Sequence, residues 1–141
     1  MTTQTTGGFV EITGATKALA VDLRHGPSTT HLITDAPKDN GGEGSSFSPT
    51  DLLASAFLSC ALTTMALVAK REQIAWGEAT GRVEKHMTQA PRRVGELVTV
   101  FEMPKELPED KRGHMEQVAH SCPVARSLHP DVKLSLTFHY R

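Results

Sequence analysis

The longest apolar stretch of the chain lies in its middle and predicts a buried helix. Ser48, Pro49 and Asp51 are typical of a helix start. Ser48 offers a capping hydroxyl, Pro49 lacks the N–H that would need a partner there, and Asp51 places a negative charge at the positive end of the helix. From Leu52 to Gln73 no helix breaker occurs, which corresponds to about six turns. Because this helix is apolar on almost every side, we expect it to be buried on most faces, in the core of the protein or of a dimer.

Shorter segments on both sides of this helix have the composition of β-strands. We expect an N-terminal antiparallel meander with strands at Phe9–Ile12, Ala18–Leu23 and Thr29–Thr34, followed by a Gly- and Ser-rich loop from Asp35 to Phe47. After the helix we expect strands at Ala75–His86 and Leu97–Glu102, a helix from Pro108 to about His120, a turn through Leu128, and a half-buried strand at Asp131–Tyr140. The length and the even composition predict a single domain, 1–141, with residues 1–8 as a disordered tail.

The charge balance narrows the classes of partner. Lys and Arg total 15 against 16 for Asp and Glu, so the net charge of -1 provides no basic field for nucleic acid or for an anionic membrane. The first residues are neither basic nor apolar, and we expect no stretch with the roughly 18 apolar residues of a membrane span. The sequence therefore predicts a cytoplasmic protein that binds neither nucleic acid nor membrane.

Two cysteines, Cys60 and Cys122, are far apart in the sequence and do not have zinc-ligand spacing. The seven histidines are scattered, so we expect no metal site. Two inert core thiols remain one interpretation, because free cysteine is among the most buried residue types. The other interpretation is that the two cysteines form a reactive pair.

The surroundings of the two cysteines differ. Cys60 falls on an apolar face of the long helix, where a thiolate loses hydration unless a cation faces it. Arg24 is the first candidate for that cation, because a guanidinium keeps its charge and offers several donors in one plane; Lys17 and Arg126 are the alternatives. Cys122 precedes Pro123 at a helix end, where a small rearrangement suits a resolving thiol.

Two motifs around these cysteines resemble one family. The run GGEGSSFSPTDLLASAFLSCALTTMALVAK (Gly41 to Lys70) and the run HSCPVARSLHPDVKLSLTFHY (His120 to Tyr140) resemble the two signatures of the OsmC/Ohr family, osmotically inducible protein C and organic hydroperoxide resistance protein. The resemblance implies an α+β fold with antiparallel sheet segments around a long buried central helix. It also implies an intertwined homodimer.

The same resemblance implies a thiol peroxidase that reduces organic hydroperoxides. Cys60 would be the attacking thiolate and Cys122 its disulfide partner, with a neighbouring arginine as the activating cation. Matched by its spacing to the loop, that arginine falls in the range from Lys17 to Arg24. A dithiol, in the family typically on a lipoyl protein, would reduce the disulfide, with no metal or organic cofactor. Phe57, Met65 and Asp51 are candidate substrate-binding residues, with core packing as the alternative for Phe57.

One position departs from the family pattern. In the hydroperoxide-resistance branch a glutamate follows the helix-start proline and pairs with the catalytic arginine, whereas Thr50 stands there in this chain. Asp51, one residue later and rotated by about 100°, and Glu43 in the preceding loop are the substitutes to consider. Two alternatives therefore stay open: a non-catalytic OsmC-like dimer that binds a small ligand or senses redox state, and a structural dimer with two buried thiols.

Overall fold

The computed structural model describes residues 8–141. The predicted disordered tail, residues 1–8, lies outside the described part except for Gly8. The chain forms two compact units, Met1–Pro49 and Thr50–Arg141. Each unit is described by itself below, and the single domain stays a prediction.

The first unit contains a three-stranded antiparallel sheet of β1 (Ile12–Lys17), β2 (Ala20–His25) and β3 (His31–Thr34) in that order. The predicted meander is confirmed, but the prediction of the first strand at Phe9–Ile12 was wrong. Lys17 pairs with Ala20 across a two-residue turn, so the pairing runs back only as far as Ile12, opposite His25 at the end of β2. Apolar composition had placed the strand too early, whereas turn geometry determines the register.

A loop after β3 is organised by a buried carboxylate. Asp35 accepts hydrogen bonds from the backbone N–H and the hydroxyl of Ser45, at 3.0 and 2.8 Å. These bonds, the backbone one first, lower the pKa of Asp35 because they favour the charged form. The predicted loop is confirmed apart from a short 3₁₀ turn at Lys38–Asn40, and it places Phe47 and Ser48 before the long helix.

The long helix α1 (Pro49–Arg71) begins at the predicted proline. It ends two residues earlier than Gln73, because Gln73 adopts a left-handed conformation (φ 56°) and the chain closes with Schellman hydrogen bonds. Ile74 N–H donates to the Ala69 carbonyl at 2.9 Å, and Gln73 N–H donates to the Lys70 carbonyl at 3.4 Å.

One stripe of α1 is buried, at the spacing expected of a single helix face. It consists of Ala54, Phe57, Ala61, Met65 and Ala69. The expectation that most faces are buried is therefore wrong for the single chain.

The expectation that no stretch could span a membrane is also wrong by length and composition, since an 18-residue window of α1 has mean hydropathy 2.0 and only 28% of it is buried. Core helices of soluble proteins have the same composition.

The second unit contains a sheet in the order β4 (Thr80–Thr88), β5 (Arg93–Glu102) and β6 (Lys133–His139). The hairpin of β4 and β5 is antiparallel, and β6 runs parallel to β5. The prediction that β4 starts at Ala75 was wrong, because its pairing begins at Thr80 opposite Glu102, where β5 ends. In turn β5 begins earlier than predicted, at Arg93 opposite Thr88.

Two short helices connect β5 to β6. A 3₁₀ turn at Glu109–Lys111 leads into α2 (Arg112–His120), which ends as predicted. A helix, α3 (Pro123–Ser127), stands where only a turn was expected. The preference of proline for the first helical position explains it.

The core of the second unit lies on one face of β5. Val94, Leu97 and Phe101 are buried there together with the buried stripe of α1, and Met115 and Ala119 of α2 belong to the same cluster. The rings of Phe101 and Phe138 stack at 5.1 Å. Cys122 is part of this core and Cys60 lies at its edge.

Candidate functional site

Cys60 lies at the edge of the buried stripe of α1, and its side chain is half-buried. Two polar groups approach its sulfur. The backbone N–H of Val124 donates to Cys60 Sγ at 3.5 Å, and the Thr64 hydroxyl lies 3.7 Å from it. The sulfur of this half-buried residue therefore has two polar groups within hydrogen-bond distance.

Cys122 lies between α2 and α3 and is completely buried. Burial raises the pKa of the Cys122 thiol, and the neighbouring Cys60 side chain raises it further, while the N–H groups of Ala125 and Val124 act in the opposite direction. Cys122 directly precedes α3, and the Val124 N–H of α3 lies 3.5 Å from Cys60 Sγ, so the fold brings the two cysteines close together. Both are free thiols in this structure.

A backbone N–H at the start of helix α3 contacts the sulfur of Cys60. The helix begins directly after Cys122, so that the Val124 N–H has no partner within the helix and is available to Cys60 Sγ. Sequence reasoning missed this donor because it treated the segment as a turn. The signal that could have found it is Pro123, which favours a helix start.

The first candidate cation, Arg24, lies in the first unit. It is exposed on β2, where it pairs with Thr13 on one side and with His31 on the other. A shallow cavity of about 250 Å³ beside it also includes Asp22, whose carboxylate bonds to His31 at 2.9 Å. Arg24 thus lies on a polar sheet face.

The second candidate, Lys17, ends β1 in the same unit. It lines a cavity of about 350 Å³ together with Asp35 and Glu43, so the fold brings this cation near one of the carboxylates considered as its partner. The third candidate, Arg126, lies on α3 in the second unit, where its Nε donates to the Ser121 carbonyl at 2.8 Å. That bond directs the guanidinium toward the backbone after α2.

At the start of α1, Asp51 contacts a cation that sequence reasoning missed. Lys85 of β4 donates to Asp51 Oδ1 at 2.8 Å and to the Thr50 hydroxyl at 2.9 Å, and only 17% of its side chain is exposed. Strand periodicity could have found it, because Val83, Lys85 and Met87 alternate with exposed neighbours on the inward side of β4.

The structure does not bring Asp51 to Cys60 within one chain. The two residues are nine positions apart on α1, which separates them by about 13.5 Å along the axis and about half a turn around it. Phe57 and Met65 are both completely buried and form the core behind Cys60. A contact of these three side chains with substrate stays a prediction.

Within residues 8–141, no three side chains of His, Cys, Asp or Glu lie grouped so that they could hold an ion. The candidate site around the two cysteines comprises their two thiols, the Thr64 hydroxyl and the Val124 N–H.

These thiols lie within the part of the chain that matches a family model described as OsmC-like protein, at residues 42–137. The match covers more than half of the sequence, so the chain belongs to the OsmC-like family, as the two motifs predicted. No curated protein matches the sequence.

Among solved structures, one similar protein comes from Psychrobacter arcticus and is provisionally described as an osmotic stress induced and detoxification response protein. It is 36% identical, with a TM-score of 0.86 over 95% of this chain and 98% of its own. An organic hydroperoxide resistance protein from Elizabethkingia anophelis, with crystallant-derived thiocyanate bound, is 19% identical, with a TM-score of 0.80 over 98% and 100% of the two chains.

An organic hydroperoxide resistance protein OsmC from Legionella pneumophila is 17% identical, with a TM-score of 0.75 over 95% of this chain and 98% of that one. At such identities the last two comparisons show the fold alone. They confirm the predicted α+β class of the OsmC type.

Proposed function

We propose that the protein is a cytoplasmic thiol peroxidase that reduces organic hydroperoxides through Cys60 and Cys122. The observation that carries this proposal is the pairing of two free thiols in unequal surroundings. One is half-buried with two hydrogen-bonding neighbours, and the other is completely buried beside it. Two inert core thiols would not require one of them to reach the surface.

The first step is attack by the Cys60 thiolate on the terminal oxygen of the hydroperoxide. An S–O bond forms, the O–O bond breaks, and the alkoxide leaves and takes up a proton to become the alcohol. Cys60 is oxidised to the sulfenic acid. The buried Phe57 and Met65 behind Cys60 make the inner side of the site apolar, which suits a hydrophobic organic substrate.

The second step joins the two cysteines. The Cys122 sulfur attacks the Cys60 sulfenic acid, the S–S bond forms and water leaves. An external dithiol, such as a lipoyl group, then exchanges with this disulfide, becomes oxidised itself and returns both cysteines to thiols. The position of Cys122 at the junction of α2 and α3 lets the backbone adjust as the bond forms.

A specific observation favours a second candidate, a non-catalytic OsmC-like dimer that binds a small ligand or senses redox state. Thr50 replaces the family glutamate, and Asp51 is bonded to Lys85 at 2.8 Å. The carboxylate nearest to the family position is thus paired with a lysine. A redox sensor would form the same disulfide without turning over.

Turnover with cumene hydroperoxide and reduced lipoamide separates the candidates. We expect the wild type to consume both reagents in equal amounts and Cys60→Ser to lose all activity. Cys122→Ser should release about one equivalent of alcohol and then stop, because its sulfenic acid has no internal partner. Disulfide formation without turnover in the wild type would instead identify a sensor.

A further inference from the structure

One hydroxyl group lies next to the sulfur that the proposed reaction uses. Thr64 follows Cys60 by four residues on α1, which places the two side chains on adjacent turns of one face. Its Oγ1 lies 3.7 Å from Cys60 Sγ, within the range for a hydrogen bond to sulfur.

Other helical hydroxyl groups in the second unit behave differently. Ser55, Ser121 and Ser127 each donate to the carbonyl four residues earlier, at 2.8 Å. That is the usual use of such a group in a helix. The Thr64 hydroxyl instead lies within hydrogen-bond distance of the Cys60 side chain, four residues earlier, although threonine also has a rotamer suited to the carbonyl.

A second donor approaches the same sulfur from another element. The N–H of Val124, in the first turn of α3, lies 3.5 Å from Cys60 Sγ. The sulfur therefore lies between a hydroxyl on its own helix and an N–H from outside it. Hydrogen bonds to a charged group are stronger than those to a neutral one, so both donors favour the thiolate over the thiol.

We propose that Thr64 is a catalytic residue that donates a hydrogen bond to the Cys60 thiolate and, with the Val124 N–H, holds it in the orientation for attack. This proposal rests on the proposed peroxidase function. It adds that neutral hydrogen-bond donors on the same chain contribute to the activation of Cys60, in addition to any cation.

The test measures the alkylation of Cys60 by iodoacetamide as a function of pH, with the label on the Cys60 peptide quantified by mass spectrometry. Thr64→Val keeps the shape of the side chain and removes the donor. We expect it to move the pH midpoint of Cys60 alkylation upward by about one unit, a tenfold loss of thiolate at a fixed pH below the midpoint. Thr64→Ser should restore the wild-type midpoint.

Thr137→Val is the matched control, because Thr137 is exposed on β6 and lies outside α1. An unchanged midpoint in Thr64→Val, or an equal shift in Thr137→Val, would overturn the proposal. Thermal unfolding confirms that the variants fold, and Thr64→Ala replaces Thr64→Val if the latter does not.

Alkylation needs no hydroperoxide, so the role of Thr64 and the peroxidase function are tested independently. A wild type that shows the Thr64 effect but does not reduce cumene hydroperoxide would remove the peroxidase function and leave Thr64 as a donor to Cys60. Active protein with no Thr64 effect would remove only the inference made here. In active protein we also expect Thr64→Val to lower kcat/KM about tenfold at neutral pH.

Discussion

Thiol reactivity in this protein is decided by what lies within a few ångströms of each sulfur. Burial raises the pKa of Cys122, and the adjacent Cys60 raises it further. Conversion of Cys60 to a sulfenic acid removes a negative charge from beside Cys122, so the Coulombic part of that increase disappears. The buried thiol thus becomes easier to ionise at the step in which the proposed mechanism needs it.

The activating cation is the residue for which a substitution series is most informative. We expect Arg24→Met to shift the alkylation profile of Cys60 upward by more than one pH unit and to slow hydroperoxide reduction at least tenfold. The reason is that a guanidinium keeps its charge when it is desolvated, whereas the amine of Lys17 loses its proton more readily.

Lys17→Met and Arg126→Met are the matched controls, and the measurement is the rate of Cys60 alkylation against pH in all three variants. A clear shift in one of these controls, with none in Arg24→Met, would move the role to that residue. Circular dichroism checks that each variant keeps the native secondary structure.

Several residues of the site could be predicted from the sequence, and others could not. Cys60 and Cys122 stand in recognisable motifs, and the structure brings Cys60 to the start of α3, directly after Cys122. Val124 was missed because its contribution is a backbone N–H, for which the helix-start preference of Pro123 is the only local signal. Lys85 was missed although strand alternation indicates its inward direction, since a largely buried lysine contradicts the usual preference of its type.

At the scale of elements, helices were easier to predict than strand boundaries. Pro49 fixes the beginning of α1, and Pro123 limits the end of α2. Strand boundaries depend on the partner strand. β1 begins opposite the last residue of β2, and β4 begins opposite the last residue of β5. That information lies in tertiary pairing and not in the local composition.

The end of α1 offers a test of stability at this scale. Gln73 occupies the left-handed position of the Schellman motif with φ 56°, a conformation that glycine adopts without the steric penalty of a side chain. We expect Gln73→Gly to stabilise the protein by about 1 kcal/mol, measured as the free energy of unfolding in urea. Gln117→Gly, within α2, should instead destabilise it by a similar amount.

At the scale of the whole molecule, the uncovered face of α1 requires explanation. A face opposite the buried stripe carries small and apolar residues that are exposed in the single chain: Ala56, Ser59, Thr63, Ala66 and Leu67. Small residues let a second helix approach closely, and the high mean hydropathy of α1 makes exposure to water unfavourable. A second copy of the chain that packs along this face would cover it, as the resemblance to the family implies.

We therefore predict an obligate homodimer in which this face of α1 is buried. Ala66→Glu places a charge on the exposed face while retaining a good helix former, so it should abolish the dimer without removing core contacts. Gln117→Glu, exposed on α2, is the matched control and should leave the dimer intact. Light scattering at micromolar concentration measures the mass of each protein. A wild type with the mass of one chain would contradict the prediction, since 15.3 kDa is the mass of the monomer.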